Sequence, residues 1–343
     1  MVKNIKKVAV LGSGIMGSGI ACHLANVGIE VLLLDIIPEN FKTSKNKNER
    51  NSIVNKALTT AVKSKPSPLY AKNKLSNITT GNFDDDFEKI EDCDWIIEVV
   101  VERLDIKNII FEKVDQFRKQ GAIVSSNTSG IPINSMLEKR SDDFKTHFLG
   151  THFFNPPRYL RLLEIIPTNY TDKNVVDFMH DFGSKILGKT TVLCKDTPAF
   201  IANRVGVFAI QELFHIVHDM DLSVVDVDLL TGPIMGRPKS ATFRTCDVVG
   251  LDTLIHVANG LKQNCPNDER SEAFNLPDFI SKMKDNNWLG SKTGQGFYKK
   301  TVNKEGKKEI LSLDFKTLEY GKSTKTKFDT ISKARSVDDI KKR

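Results

Sequence analysis

The sequence predicts an α/β protein: a doubly wound, mainly parallel sheet followed by a smaller all-helical domain. Three observations predict it. Short apolar runs at residues 6–11, 31–34, 95–101, 122–125 and 148–154 are interleaved with helical stretches. A glycine-rich turn joins the first run to the first helix. From Ala199 onward the apolar spacing turns helical.

The chain has 343 residues, enough for about two domains and a sizeable core. The expected division is a nucleotide-binding domain at residues 1–196 with a helical arm at about 40–75, a helical domain at 197–298, and a hairpin and charged linker at 299–343. Hydrophobic residues make up 40% and charged residues 27%, as in an ordinary globular protein. No apolar run approaches the ~20 residues of a membrane span. The longest, residues 31–37 and 95–101, are each broken by a carboxylate. Lys3, Lys6 and Lys7 lead straight into a strand, so no signal peptide is expected. Cys22, Cys93, Cys194, Cys246 and Cys265 lie far apart without metal-ligand spacing. They read as reduced thiols of a cytoplasmic protein with no metal. The net charge of +7 reads first as a solvated surface, and functionally as attraction of an anionic ligand. Nucleic acid is disfavoured, because no basic patch is interleaved with aromatics.

Residues 6–11 form the first strand and run into Gly12-Ser13-Gly14-Ile15-Met16-Gly17. A helix follows over residues 18–27, with Gly28 as its stop. The second strand, residues 31–34, ends at Asp35, 23 residues after Gly12. This strand, turn, helix, strand and acid make a Rossmann-like dinucleotide fingerprint. Gly12 permits the tight turn, Gly14 lets backbone approach a pyrophosphate, and Gly17 lets helix pack on strand. Ile15 and Met16 sit in the turn just before the helix whose free N–H groups face phosphate. Asp35 suits a ribose 2′-hydroxyl and repels a 2′-phosphate, so the expected cofactor is NAD.

Further strands carry polar residues at their ends. Residues 95–101 end at Glu102 and lead to a helix over about 105–119. Residues 122–125 end in Ser126-Asn127-Thr128-Ser129, and residues 148–154 carry His152 and lead to Asn155. Ligands of open parallel sheets sit beyond such carboxyl ends. His152 and Glu164, each among apolar neighbours, suit a general base and its orienting partner. Taken singly, each candidate has a plainer explanation. His152 could be a satisfied core histidine and Glu164 an exposed strand acid. Asn127 and Ser129 could cap a helix, and Asn203 could be an ordinary polar helix residue.

Together these segments resemble the L-3-hydroxyacyl-CoA dehydrogenase family. The resemblance rests on Gly12 to Gly17 with Asp35, the segment 98–107, Ser126 to Ser129, His152-Phe153-Phe154-Asn155-Pro156, Leu163-Glu164, Lys195-Asp196-Thr197-Pro198, Asn203-Arg204 and Val248-Val249-Gly250-Leu251-Asp252. It covers roughly residues 5–298. It implies oxidation of (S)-3-hydroxyacyl-CoA by NAD in fatty-acid β-oxidation. It implies His152 as general base, Glu164 holding the imidazole, and Ser129 and Asn203 touching substrate near the reacting oxygen. Glu102, Lys107, Asn127 and Asn155 would line the cofactor pocket. A helical domain pairing two subunits is also implied.

The segment between Asp35 and Asn82 departs from shorter members. Its Ser64-Lys65-Pro66-Ser67-Pro68-Leu69 run resembles the long two-activity branch, where an enoyl-CoA hydratase module follows. There the arm touches coenzyme A, so Lys56 and Lys63 are candidates for its phosphates, as readily as they are exposed helix lysines. Ala199 stands where glycine is common; its methyl matters little unless the backbone needs a positive φ.

In the second domain, Ile201, Val205, Phe208, Leu213, Ile216 and Val217 form the expected core stripe of a long helix. Helices are expected at residues 251–261 and 276–285. A hairpin is expected from residues 297–302 and 309–313, then a polar linker or weak helix from Lys322. An end on Ile340-Lys341-Lys342-Arg343 suggests part of a longer two-activity protein. Two other functions stay open: an NAD-dependent dehydrogenase of a free hydroxy acid or sugar acid, and a non-catalytic NAD-binding structural protein.

Overall fold

The computed structural model describes residues 4–220, 222–323, 326–339 and 341. It divides into two compact units, residues 1–201 and 202–343.

The first unit is built on an eight-stranded sheet of order β3-β2-β1-β4-β5-β6-β7-β8. The strands are β1 (Lys7–Leu11), β2 (Glu30–Asp35), β3 (Ile78–Asn82), β4 (Trp95–Glu98), β5 (Ile123–Ser126), β6 (Phe148–Phe153), β7 (Leu162–Pro167) and β8 (Thr190–Leu193). Neighbours run parallel except β6 and β7. Alternate side chains of β1 enter opposite cores: Val8 and Val10 join Ile20, Leu33 and Trp95, while Ala9 and Leu11 join Leu32, Phe111 and Phe148. Apolar cores on both faces explain why these strands read as unbroken apolar runs. Strand order reverses between β1 and β4, the switch point where such sheets open a crevice.

The helices of this unit are α1 (Ile15–Asn26), α2 (Lys47–Arg50), α3 (Ser52–Lys63), α4 (Leu104–Phe117), α5 (Asp142–Thr146) and α6 (Lys173–Lys185). Three details differ from the sequence reading. The first helix starts at Ile15, directly after the turn. The third apolar run stops pairing at Glu98, whose carboxylate accepts the Val100 N–H at 2.7 Å and so turns the chain away. Glu102 thus lies on the following loop. The expected arm holds the short α2 and the amphipathic α3, which buries Val54 and Leu58 in the core shared with α1.

The second unit contains α7 (Ala202–Met220), α8 (Val224–Thr231), α9 (Phe243–Val249), α10 (Leu251–Asn264), α11 (Asp278–Asp285) and α12 (Asp329–Arg335). The predicted stripe of α7 is corrected. Of the predicted stripe Val217 is buried, but Val205 is 62% and Ile216 45% exposed, whereas Val207, Gln211 and Phe214 are buried. The true core face is one step round the helix, because buried Gln211 hid it from an apolar count. The hairpin gains a third strand: β9 (Tyr298–Val302), β10 (Lys308–Leu313) and β11 (Tyr320–Lys322) form an antiparallel sheet. Phe297 and Phe315 pack with Phe214, Phe243 and Phe279, so the stretch around the hairpin belongs to a core. Lys3, Ile340, Lys342 and Arg343 lie outside the described residues.

Among the described residues no helix is long and apolar enough to cross a membrane. The five cysteines are free thiols.

Candidate active site

The glycine turn closes β1 onto α1. Gly12 has φ +108°, and a Cβ there would lie 2.6 Å from the Val99 carbonyl oxygen. A Cβ at Gly17 would lie 1.9 Å from the Gly12 carbonyl oxygen. Gly14 meets nothing within 4 Å, so its backbone is open to a phosphate. No side chain caps the N-terminus of α1, where Ile15 is exposed and Met16 half-buried. Asp35 ends β2 facing this turn. Its Oδ2 accepts the backbone N–H of Ser13 at 2.7 Å and the Ser13 hydroxyl at 2.5 Å. Ser13 escaped the sequence reading because the fingerprint leaves its position free. An uncapped helix end, an open glycine and an oriented acid fit a dinucleotide's pyrophosphate and ribose.

A second group is held by a buried charge network. Lys107, 1% exposed, places Nζ 2.8 and 3.0 Å from the Glu98 carboxylate and 3.3 Å from Glu102. Glu102 accepts the Thr128 hydroxyl at 2.6 Å, the Ser129 N–H at 3.0 Å and the Ser129 hydroxyl at 3.3 Å. Lys107 therefore spends its ammonium on two carboxylates. Burial raises the pKa of Glu98 despite Lys107 and the Ser126 hydroxyl. Burial pushes Glu102 the same way, but Lys107 with Thr128 and Ser129 outweighs it and lowers the value. Asn127 accepts the Phe153 N–H at 2.9 Å and ties the end of β5 to β6. Glu98 was missed as a site residue. Its signal was an acid closing an apolar strand nine residues before a lysine.

The third group is His152 and Glu164. They face each other across the antiparallel β6–β7 pair, and Nδ1 lies 2.7 Å from Oε2. His152 is 6% and Glu164 0% exposed. The other oxygen of Glu164 accepts the Ile201 N–H at 3.1 Å. Burial, then the charge and hydrogen bond of Glu164, pushes the neighbouring Cys194 thiol up to about 12. The imidazole is walled by Phe154, 4.4 Å between centroids, and Phe200, 5.8 Å. With Nδ1–H directed at the carboxylate, Nε2 is the nitrogen able to accept a proton. Ala199 and Phe200 have φ +60° and +51°, so the condition attached to Ala199 is met. That left-handed turn delivers Ile201 N–H to Glu164.

The remaining candidates are not drawn into these groups. Asn155 is exposed just past β6. Lys56 and Lys63 are exposed on α3, seven residues apart and so on one face, and neither pairs with a carboxylate among the described residues. Asn203 opens α7 in the second unit.

Two family models together match most of the chain. Described as "3-hydroxyacyl-CoA dehydrogenase, NAD binding domain" and "3-hydroxyacyl-CoA dehydrogenase, C-terminal domain", they match residues 7–197 and 200–300. A Bacillus subtilis protein named "Probable 3-hydroxyacyl-CoA dehydrogenase" is 51% identical over 99% of this chain and 44% of its own length. A Rickettsia felis protein, provisionally named a fatty acid oxidation complex trifunctional enzyme, is 39% identical over 92% of this chain and 43% of its own. The chain thus spans less than half of these two relatives. The crystal structure of FadB2 from M. tuberculosis superposes with a TM-score of 0.71 and 29% identity, covering 87% of this chain and 99% of that one.

Proposed function

This chain belongs to the 3-hydroxyacyl-CoA dehydrogenase family, and from that membership we propose that it oxidises (S)-3-hydroxyacyl-CoA to 3-oxoacyl-CoA in fatty-acid β-oxidation. The observation that carries the mechanism is the buried His152–Glu164 pair. The turn from Gly12 to Gly17 and Asp35 would hold NAD, which would supply the acceptor for the hydride leaving carbon 3. His152 Nε2 takes the hydroxyl proton. Glu164 fixes the Nδ1–H tautomer and stabilises the imidazolium that forms. Phe154 and Phe200 shield the ring from water, which strengthens that pairing. Ser129, oriented by Glu102, and Asn203 hydrogen-bond the oxygen as it becomes a carbonyl. Asn127, Asn155, Glu102 and Lys107 shape the cofactor pocket, and Lys56 and Lys63 meet coenzyme A phosphates.

In this reading residues 1–196 bind the dinucleotide and residues 197–298 form a separate helical domain. The exposed apolar side chains of the second unit, Val205, Ile216, Val248 and Val249, suit a homodimer contact. The partial coverage of longer relatives suits a longer cytoplasmic protein carrying an enoyl-CoA hydratase module. The test is NADH oxidation with acetoacetyl-CoA, compared with acetoacetate and a sugar acid. Turnover of the thioester that falls on the order of 10²–10⁴-fold in His152→Ala is expected. Equal turnover by the variant, or a preference for the free acid, would overturn the assignment.

A further inference from the structure

One face of α1 does work that the dinucleotide fingerprint does not describe. Gly19 and His23 stand one turn apart on it. A Cβ at Gly19 would lie 3.0 Å from the ring of Pro157, so that proline rests directly on the helix. His23 places Nε2 3.1 Å from the Leu187 carbonyl oxygen, two residues before Lys189. Lys189 bridges the two contacts. Its ammonium donates to the carbonyls of Pro157 and of Leu160, the latter at 2.8 Å, and lies 5.7 Å from the centre of the Phe153 ring.

This lysine is only 6% exposed, and no carboxylate pairs with it among the described residues. A buried cation without a counter-ion is costly, so something must be gained by keeping it. What it holds is the loop over residues 155–160. That loop leaves β6 three residues after His152 and begins with Asn155.

We propose that Lys189 is a positioning residue for the dinucleotide. With Gly19 and His23 it clasps the 155–160 loop onto the cofactor-binding helix and so holds Asn155 in place. The inference rests on the dehydrogenase reading for its cofactor and goes beyond it. Because His152 and Glu164 are aligned by the β6–β7 ladder and not by the loop, loosening the clasp should weaken cofactor binding more than the chemical step. Burial holds Lys189 down to about 8. The groups facing it are His23 and the Arg158 guanidinium; His23 is held down to about 4, chiefly by burial, and so does not titrate near pH 8.

The test measures the Kd for NADH by fluorescence titration, and KM for NADH and kcat with acetoacetyl-CoA, on the whole chain. Lys189→Met should raise Kd and KM about tenfold while kcat stays within about threefold, a shift of about 1.4 kcal/mol. Lys189→Arg should recover most of the affinity. In the wild type KM should rise above about pH 8, and in Lys189→Met it should stay flat. Gly19→Ala pushes on Pro157 from the other side and should raise Kd without removing a charge; it decides the matter if Lys189→Met does not fold. Unchanged Kd in the folded variants, or a loss confined to kcat, overturns the clasp. Wild-type protein that binds NADH but does not turn over acetoacetyl-CoA would sink the parent activity instead, and the clasp would then be judged on Kd alone.

Discussion

Replacing Glu164 by glutamine changes one oxygen to an NH₂ group, and the structure dictates which one. The Ile201 N–H, 3.1 Å from Oε1, requires an acceptor and pins the amide oxygen on that side. The NH₂ group is then left facing Nδ1 of His152, where the carboxylate oxygen sat at 2.7 Å. A donor facing a donor forces the imidazole to carry its proton on Nε2, the nitrogen that should accept the substrate's proton. The loss can be sized in two ways. Removing effective general-base catalysis costs about 10²–10⁴ in rate, or about 2.7–5.4 kcal/mol. Removing the attraction between carboxylate and imidazolium, with charges about 4 Å apart at an effective dielectric constant of 20, costs about 4 kcal/mol. Both indicate a fall of about 10³ in kcat, with KM for acetoacetyl-CoA changed less than about threefold. Steady-state NADH oxidation measures this, with circular dichroism to verify the fold. A folded Glu164→Gln variant retaining more than a tenth of wild-type kcat would refute the reasoning.

Other perturbations follow from the same geometry. Gly17→Ala places a methyl against backbone that cannot move aside, so we expect a cost of at least about 1–3 kcal/mol and weakened NADH binding; wild-type affinity by titration would contradict this. Ala199→Gly relieves a left-handed alanine and should stabilise the fold by about 0.5–1 kcal/mol in urea denaturation, whereas a loss of stability would count against strain at that turn. Lys107→Met strands the Glu98 carboxylate in the core and should cost about 3–5 kcal/mol, less at low pH where Glu98 protonates; a near-neutral change in chemical denaturation would refute the charge network. Asp247 is held up to about 6, chiefly by burial, although it accepts the Phe297 and Tyr298 N–H groups. Its folded form therefore binds a proton that the unfolded form releases near pH 4, so its contribution to stability is greatest below about pH 4 and is lost by about pH 6. Wild-type stability relative to Asp247→Asn should fall across that window, and a rising difference would reverse the sign.

Much of this protein is local chemistry that a sequence displays. Gly12 and Gly17 are legible because close backbone contact at both, and a positive φ at Gly12, exclude any side chain there. Asp35 is legible because a strand of fixed rise delivers it a fixed distance from that turn. The long apolar runs of β1, β2 and β4 announce a sheet buried on both faces. His152 and Glu164 were visible as residue types, but their union depends on an antiparallel register twelve residues apart, which no local pattern encodes. The same holds for the rest of what tertiary structure decided. Only the fold brings Glu98, Lys107 and Glu102 to one point, pairs the Lys107 ammonium with both carboxylates, and sets Lys189 over the Pro157 carbonyl. Only the fold rotates α7 so that Gln211 enters the core while Val205 faces out, and brings Phe297 and Phe315 together with the rings of the helices. Backbone geometry and steric exclusion act between neighbours in the chain and so leave a mark in the sequence. Pairing of charges and packing of rings act between residues far apart in it, and their partners are chosen when the layers close.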